Sequence, residues 1–132
     1  MLVVTRALYG LKSAGASWRA TFAHTLRELE FRSTIMDPDV YRRRNTKING
    51  EQYYELILVY VDDCLVISEN PKKIIEQIGE YYELKNGAEE PSIFLGANIE
   101  KFQLADGRLV WSMTSIQYVN NAVKNVRGIL AE

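Results

Sequence analysis

The sequence predicts an α+β domain in which helices pack on an antiparallel sheet. Three segments place apolar residues at helical spacing, and the strand-like segments follow one another directly, joined by short turns. Strands joined by short turns form antiparallel pairs, whereas parallel strands need long crossover connections. The chain has 132 residues, of which 47% are hydrophobic and 25% charged, so we expect a single domain over residues 1–132.

Two helices and one strand pair are predicted in the first two thirds of the chain. A helix between Ser13 and Glu30 is indicated by apolar residues at helical spacing, namely Trp18, Phe22, Leu26 and Leu29. The segments DPDVYRRRN and EQYYELILVY flank the turn-like TKING and predict an antiparallel pair. Asn70 followed by Pro71 is typical of a helix start. The buried face of this second helix is predicted to carry Ile74, Ile75, Ile78 and Tyr82.

A hairpin is predicted within the segment IFLGANIEKFQLADGRLVWSM. Asp106-Gly107 is a residue pair favoured where both positions of a turn need positive φ. A turn at this pair places Phe102 opposite Trp111 and Leu104 opposite Leu109.

The last helix is predicted to begin near Thr114 and to end near Gly128. Thr114 and Gln117 have the spacing of a capping box, and glycine commonly ends a helix. The apolar face of this helix is predicted to carry Ile116, Val119, Val123 and Val126.

The most apolar segment of the chain, LILVYVDDCLVIS, contains two adjacent aspartates, Asp62 and Asp63. If Tyr60 pairs with Asp63, then Val61 and Asp62 form a two-residue turn, and a β-branched valine is poorly suited to positive φ. Local rules broken in this way are concentrated at functional or strained sites. A longer turn would relieve the strain, and the sequence leaves both turns open.

Charge also distinguishes Asp62 and Asp63. Two carboxylates about 4 Å apart repel by roughly 4 kcal/mol at an effective dielectric near 20, and apolar walls on both strands are expected to add a desolvation cost. A divalent cation removes both penalties, and Mg²⁺ is typically held by one or two carboxylates together with substrate phosphates. The alternative is a hairpin tip that carries two solvated acids, and spacing alone favours neither.

Five segments carry motifs in a consistent order: ALYGLKSAGASWRATFAHTLRELEF, DPDVYRRR, YVDD, SIFLGANIE and SMTSIQYVNNAV. Together they resemble copia-type LTR-retrotransposon reverse transcriptases, which are RNA-directed DNA polymerases. The likeness covers nearly all of the chain and includes the Tyr-x-Asp-Asp motif of that family. It implies a partial palm subdomain with the primer-grip strand over residues 1–104. A hairpin return strand and the first thumb helix would occupy residues 105–132.

The resemblance implies a two-metal polymerase site. Asp62 and Asp63 would be catalytic residues, two of three carboxylates that bind a pair of Mg²⁺ or Mn²⁺ ions. In such sites one metal activates the primer 3′-hydroxyl, and both stabilise in-line phosphoryl transfer from a dNTP. Tyr60 and Val61 would lie against the primer end and the incoming nucleotide.

The resemblance also implies contacts away from the aspartates. Leu95 and Gly96 would lie in the primer-grip hairpin, and Lys12 would approach the template or the nucleotide. Ser13 stands where the family usually has glutamine, and AGAS replaces a proline-containing stretch.

The implied partners are a template–primer and dNTPs within a full-length polyprotein. The N-terminal fingers and palm segment and an RNase H domain would belong to the same polyprotein. The third carboxylate of the family lies upstream of the Leu-Tyr-Gly motif, so we expect this chain to be inactive alone. The surface that would meet the other parts should be apolar and association-prone.

Two other classes of function remain open. The chain could be a non-catalytic remnant or a co-opted fragment that binds nucleic acid or protein. It could also be an unrelated two-carboxylate metal enzyme, although that leaves the flanking motifs unexplained. Arg42 and Arg44 share one face of a strand and Arg43 takes the other. The first two form either a solvated edge or a contact with the template–primer backbone.

Composition argues against several further classes. The net charge of −1 is no basic signature for nucleic acid, and no apolar run reaches the length of a membrane span. With no signal peptide in MLVVTRALYG, we expect an intracellular protein, in the cytoplasm or in virus-like particles, without a membrane partner. Cys64, the only cysteine, is expected to fill the core of its hairpin, and His24 the polar face of its helix. One cysteine and one histidine argue against a zinc site, and the segment from Gly10 to Ser13 lacks the glycines of a phosphate-binding loop.

Overall fold

The computed structural model describes residues 13–84 and 87–130. These residues form three helices and two antiparallel sheets, so the predicted α+β class is confirmed. They fall into two compact units that divide between Ala88 and Glu89. None of the helices in the described ranges is long and apolar enough to cross a membrane. The assignment of residues 1–104 to a palm and 105–132 to a return strand and thumb helix stays a prediction.

The first unit contains two helices and a four-stranded sheet. Neighbouring strands are antiparallel, in the order β1-β2-β3-β4. The predicted pair around TKING is the pair of β2 and β3. The elements are α1 (Ala14–Glu28), β1 (Arg32–Ser33), β2 (Val40–Thr46), β3 (Gln52–Tyr60), β4 (Asp63–Ile67) and α2 (Pro71–Gly79).

The core of this unit is built from side chains of both helices and of one face of the sheet. Ile57 is buried, whereas its neighbours Leu56 and Leu58 on β3 are partly exposed, so the sheet has an inner and an outer face. The predicted stripe of α1 is confirmed, because two of its residues are buried and two pack against the core. The buried core residues are Phe22, Leu26, Phe31, Tyr41, Ile57, Ile74 and Ile78.

Both helices of the first unit have local signals at one end. Helix α1 ends in a Schellman motif, in which Phe31 N–H donates to Leu26 O at 2.9 Å and Glu30 has φ +67°. Asn70 caps α2 as predicted, because its side-chain oxygen accepts Lys73 N–H at 3.3 Å. The predicted isoleucine face of α2 is confirmed, with two isoleucines buried and the third partly buried, whereas Tyr82, predicted on the same helix, lies beyond its end at Gly79 and packs against the core.

A buried ion pair lies on the inner face of the sheet. Glu55 is 3% exposed, and its Oε2 accepts the Arg43 Nε–H at 2.8 Å. Its Oε1 accepts hydrogen bonds from Asn45 at 3.0 Å and from Ser68 at 2.8 Å. Burial opposes the charged form of Glu55, but the hydrogen bonds from Asn45, Ser68 and Arg43, with the charge of Arg43, outweigh it and lower the pKa of Glu55.

The second unit contains a three-stranded antiparallel sheet and one helix. The strands are ordered β5-β6-β7. Among the residues that the structure describes, its buried hydrophobic side chains are Phe94 and Ile99. The elements are β5 (Ile93–Phe94), β6 (Ala97–Gln103), β7 (Leu109–Thr114) and α3 (Ile116–Leu130).

The predicted hairpin of β6 and β7 forms, but its predicted register is wrong by one residue. Trp111 lies opposite Lys101 instead of Phe102, and Leu109 lies opposite Gln103. The Lys101 ammonium lies 5.0 Å from the centroid of the Trp111 ring. A shift of one residue moves a side chain to the other face of a sheet.

The register differs because the loop has three residues, 105–107, instead of two. Leu104 N–H donates to Arg108 O at 2.8 Å and closes this loop. Gly107 has φ +86°, whereas Asp106 is not among the residues with positive φ. The side chain of Asp106 instead accepts a hydrogen bond from the backbone N–H of Arg108 at 3.1 Å. Aspartate stabilises turns by such a side-chain bond as well as by tolerating positive φ.

Helix α3 differs from its prediction at both ends. Thr114 is the last residue of β7, and Ser115 O accepts the N–H of Val119 at 3.0 Å, so the predicted capping box is wrong. Gly128 lies inside the helix, which continues to Leu130, so the predicted stop is also wrong. A glycine ends a helix when its φ is positive, and that of Gly128 is not. None of the residues of α3 is buried, so the predicted apolar face is exposed.

Candidate active site

The two adjacent aspartates lie at the tip of the β3–β4 hairpin. Its register is the predicted one, with Tyr60 opposite Asp63. The turn therefore consists of Val61 and Asp62, and the longer turn that the sequence left open does not form. Val61 has φ +56°, whereas Asp62 is not among the residues with positive φ, the sign pattern of a type II′ turn. The predicted strain is confirmed, because a β-branched residue rarely adopts positive φ.

The hairpin exposes its tip. Asp62 and Asp63 are both exposed, and Tyr60 and Val61 are 56% and 68% exposed. The expected desolvation of the carboxylates by apolar walls is therefore wrong, because the apolar residues of the hairpin pack further from its tip. Tyr60 and Asp63 are cross-strand partners and so share the outer face of the sheet.

The donor chemistry of the turn fits part of a divalent-metal site. Mg²⁺ and Mn²⁺ prefer oxygen ligands, and proteins commonly hold Mg²⁺ through one or two carboxylates, with phosphate oxygens and water completing the shell. Asp62 and Asp63 supply two such carboxylates. Over residues 13–84 and 87–130, no group of three or more His, Cys, Asp or Glu side chains could hold a metal ion. The described residues therefore supply part of a ligand set and not a complete cage.

Trp18 of α1 donates a hydrogen bond to this turn. Its indole Nε1–H lies 2.8 Å from the carbonyl oxygen of Val61. The Trp18 ring stacks on Phe22, with centroids 5.4 Å apart, and meets Tyr82 edge-on at 5.3 Å. The helical spacing of apolar residues predicted only that Trp18 packs against the core, and it did not predict this hydrogen bond. The available signal was that a partly buried indole N–H usually finds an acceptor.

Leu95 and Gly96 form a second two-residue turn, between β5 and β6. Phe94 lies opposite Ala97, and φ is +52° at Leu95 and +76° at Gly96. Two central residues with positive φ are typical of a type I′ hairpin turn. Leu95 is 60% exposed, so its side chain is open to a partner. Lys12, another predicted contact, lies outside the described residues.

Arginines lie on the outer face of the first sheet. Arg42 and Arg44 are exposed there, while Arg43 turns inward to Glu55, as the alternation predicted. Tyr54 lies under both exposed guanidinium groups, with its ring centroid 5.2 Å from Arg42 Cζ and 5.7 Å from Arg44 Cζ.

Arg32 of β1 lies opposite Arg42 in the sheet, and its guanidinium donates to the carbonyl oxygens of Arg27 and Phe31, at 3.0 Å each, at the end of α1. The sequence did not predict this pairing, because β1 has two residues and shows no alternation. Arg42, Arg44 and Tyr54 are called the arginine face below. Tyr54 and Tyr60 alternate along β3 on the outer face, so the arginine face and the Tyr60–Asp63 turn share one side of the sheet, about 20 Å apart.

Comparison with known proteins decides the family of this chain. The family described as "Reverse transcriptase (RNA-dependent DNA polymerase)" matches residues 2–128. The chain belongs to this reverse transcriptase family. A curated relative, the retrovirus-related Pol polyprotein from transposon TNT 1-94 of Nicotiana tabacum, is 30% identical over 77 residues, 58% of this chain and 6% of the polyprotein. No solved structure matches the chain.

The two matches confirm the resemblance to copia-type reverse transcriptases. Within this reverse transcriptase chain, the predicted residues from Tyr60 to Asp63 meet in one turn of the first unit. Leu95 and Gly96 meet in one turn of the second unit. The individual roles of these residues stay predictions.

Cys64 is exposed beside the turn, so its predicted place in the hairpin core is wrong. Although the residue as a whole is exposed, neighbouring atoms desolvate its thiol, and this desolvation, together with the charges of Asp63 and Asp62, raises the pKa of Cys64 to about 11. The thiol therefore stays protonated near neutral pH and is a poor nucleophile. His24 is exposed on α1, as predicted.

Proposed function

We propose that the Tyr60–Asp63 turn is the catalytic turn of an RNA-directed DNA polymerase encoded in a copia-type retrotransposon polyprotein. The observation that carries this proposal is the strained two-residue turn, in which Val61 adopts φ +56° and both aspartates are exposed. Strain of this kind costs of order 1–3 kcal/mol and persists mainly at functional sites. Membership of the reverse transcriptase family supplies the reaction class.

Asp62 and Asp63 are proposed to be two of the carboxylates that hold a pair of Mg²⁺ or Mn²⁺ ions. When bound, such ions activate the primer 3′-hydroxyl and stabilise the charge that develops during phosphoryl transfer. Tyr60 shares the outer face with Asp63 and is proposed to lie against the primer end, with Val61 beside the incoming nucleotide. The exposed Leu95-Gly96 turn is proposed to grip the primer, and Lys12 to approach the template or the nucleotide.

Residues 1–104 are proposed to be a partial palm and residues 105–132 a return strand and the first thumb helix. The proposed two-metal site uses three carboxylates. The described residues bring two carboxylates together at the turn. We therefore expect this chain to extend no primer by itself and to work within a longer polyprotein. There it would meet a template–primer, dNTPs, fingers and an RNase H domain.

Metal binding at the turn is tested by NMR of the ¹⁵N-labelled chain during titration with Mn²⁺. We expect paramagnetic broadening of the amide signals of Asp62 and Asp63, and loss of that broadening in the double variant Asp62→Asn/Asp63→Asn. The matched control is Asp37→Asn/Asp39→Asn, a second close pair of aspartates. Asp39 is already engaged there, since its carboxylate lies 2.6 Å from Arg19.

Broadening at the turn that survives Asp62→Asn/Asp63→Asn would contradict the proposal. The same holds if Mn²⁺ leaves the Asp62 and Asp63 signals sharp while broadening others. Primer extension by the chain alone, abolished by Asp62→Asn, would overturn the expectation that it is inactive.

A second candidate function is nucleic-acid binding without catalysis, and the arginine face favours it. The exposed guanidinium groups of Arg42 and Arg44 and the ring of Tyr54 lie on the same side of the sheet as the Tyr60–Asp63 turn. Phosphate contacts make affinity fall with salt, by about 0.9 in the log–log slope for each contact on a duplex. We expect Arg42→Gln/Arg44→Gln to reduce that slope by about 2 for an RNA–DNA hybrid duplex, measured by fluorescence anisotropy.

The control for the arginine face is Lys72→Gln/Lys73→Gln, which removes the same charge from the exposed surface of α2. An equal effect of both double variants would mean that net charge, and not the arginine face, governs binding. Nucleic-acid binding by the native chain, with no Mn²⁺ broadening of the Asp62 and Asp63 signals, would favour the non-catalytic function over the first.

A further inference from the structure

The turn that carries Asp62 is held from outside its own hairpin. Val61 has φ +56°, a conformation that is strained for an L-residue. A β-hairpin with a valine in this position would relax if nothing fixed the turn. The carbonyl oxygen of Val61 accepts a hydrogen bond from Trp18 Nε1–H at 2.8 Å, across 43 residues of sequence.

The donor is itself fixed. Trp18 stacks on Phe22 with an angle of 16° between the rings, and Tyr82 packs against both rings, 5.3 Å from Trp18 and 5.6 Å from Phe22. The Tyr82 hydroxyl lies 2.7 Å from Oγ1 of Thr25, which is buried on α1. Phe22 belongs to the core of the first unit, so the indole N–H is anchored to that core.

The geometry of the peptide bond links this anchor to the aspartate. The Val61 carbonyl and the Asp62 N–H belong to one planar peptide group. A hydrogen bond that holds the carbonyl oxygen therefore also holds the orientation of this peptide plane, which contains the Asp62 Cα. A turn free to rotate this plane would send the Asp62 carboxylate in other directions relative to Asp63.

We propose that Trp18 is a positioning residue, whose indole N–H orients the Val61–Asp62 peptide and thereby directs the Asp62 carboxylate. The metal-binding consequence rests on the proposed function of Asp62 and Asp63, whereas the effect on the turn does not. Trp18 touches neither metal nor substrate in this proposal, and it acts through the backbone alone.

The test removes the N–H and keeps the shape of the ring. The chain contains two tryptophans, Trp18 and Trp111. In the variant Trp111→Phe, biosynthetic incorporation of 3-benzothienylalanine replaces Trp18 alone, with sulfur in place of the indole N–H. The Trp111→Phe chain with ordinary tryptophan is the matched control, because the two chains differ only in the ring atom that carries the N–H.

Two NMR readouts are compared. The first is the ¹³C shift of the Val61 carbonyl and of Asp62 Cα and Cβ without metal. The second is the Mn²⁺ concentration that half-broadens the Asp62 and Asp63 amide signals. We expect the benzothienyl chain to shift all three carbon signals and to need about two- to tenfold more Mn²⁺, the range that corresponds to one lost hydrogen bond. The amide signals of Ile57 and Ile74, core residues that are not in the aromatic stack, should stay in place, which shows that the core is unchanged.

Unchanged Val61 and Asp62 carbon shifts would overturn the proposal. So would changed shifts with unchanged Mn²⁺ affinity, because Trp18 would then stabilise the turn without directing the carboxylate. If the control chain shows no Mn²⁺ binding at all, the proposed function fails separately. The carbon shifts of Asp62 still decide in that case whether Trp18 orients it. A second variant, Trp18→Phe, should repeat the loss of Mn²⁺ affinity if the N–H is responsible.

Discussion

Val61 and Leu95 have φ of +56° and +52°, and each is the first residue of a two-residue hairpin turn. Glycine, asparagine or aspartate would occupy such positions with little strain. Two aliphatic residues there, both more than half exposed, make neither turn favourable for folding. An exposed aliphatic side chain held at positive φ is better explained by what it contacts, which supports the proposed places of both residues beside the primer and nucleotide.

Replacing Val61 with glycine tests the strain directly. We expect Val61→Gly to raise the free energy of unfolding by about 0.5–1 kcal/mol, because relief of the strain exceeds the entropy that glycine costs. Urea unfolding measures the change. The control Glu30→Gly removes a side chain at φ +67° at the end of α1 and should also stabilise the chain. A destabilised Val61→Gly beside a stabilised Glu30→Gly would show that Val61 is not strained.

Glu55 makes stability depend on pH. Its pKa is lower in the folded chain than the ordinary value of 4.5. The stabilisation is therefore complete above the pKa of the unfolded chain and is lost as the pH falls through the folded pKa. We expect Glu55→Gln to lower the free energy of unfolding by about 2 kcal/mol at neutral pH, because Arg43 loses a charged partner. The difference from the native chain should narrow as the pH falls below 4.5.

Urea unfolding over a pH series measures this difference. Glu76→Gln, an exposed site on α2, is the control and should have little effect at any pH. A difference between native and Glu55→Gln chains that stays constant down to acid pH would mean that the charge of Glu55 does not stabilise the fold.

At the scale of elements, the ends of strands and helices were the features that local patterns predicted least well. The β6–β7 loop has three residues because the Asp106 side chain bonds the Arg108 N–H, while Gly107 alone adopts positive φ. Helix α3 passes through Gly128 for a related reason, since a glycine with helical φ continues a helix at a modest cost. The length of the β6–β7 loop and the end of α3 therefore depend on the backbone conformation of these residues and not on their type.

Two glycine substitutions in the second unit separate these conformations. Gly128→Ala should stabilise α3 by up to about 1 kcal/mol, because alanine is the better helix former. Gly107→Ala should destabilise the hairpin by about 1–2 kcal/mol through its φ of +86°. Among the described residues, and apart from chain neighbours and the backbone of the same helix, no atom lies within 4 Å of an added Cβ at either position, so sterics do not distinguish them. Circular dichroism during unfolding measures both changes. A Gly128→Ala chain that is less stable than the native chain would mean that α3 ends at Gly128, as the sequence predicted.

Across the whole molecule, the described residues of both units expose large apolar side chains. Helix α3 carries no buried residue, and Ile116, Val119 and Val126 are each at least half exposed. On the first unit, Ile67 and Tyr60 are about half exposed on the outer face of the sheet. Such surface is typical of interaction sites, and it supports the proposal that this chain works within a longer polyprotein.

We therefore expect the chain to self-associate as its concentration rises. Sedimentation velocity should show a rising weight-average coefficient, and Val119→Lys/Val126→Lys should reduce it. The control Asn121→Lys/Asn125→Lys adds the same charge to the opposite side of α3. A monomer at all concentrations, or equal effects of the two double variants, would contradict a role for the apolar face.

Local patterns were enough to predict the α+β class, the α1 stripe and the Asn70 cap, whereas the register of the Tyr60–Asp63 hairpin was one of two alternatives until the structure chose it. The first three depend on residues close together in the chain, where periodicity, capping and pairing have local causes. Three contacts became apparent only in the folded chain: the bond from Trp18 to Val61, the burial of Glu55 with Arg43, and the pairing of Arg32 with Arg42. These contacts join residues that are distant in sequence, and their formation depends on how helices and strands pack. The side chain that holds the strained turn therefore belongs to a helix whose sequence pattern indicated packing alone.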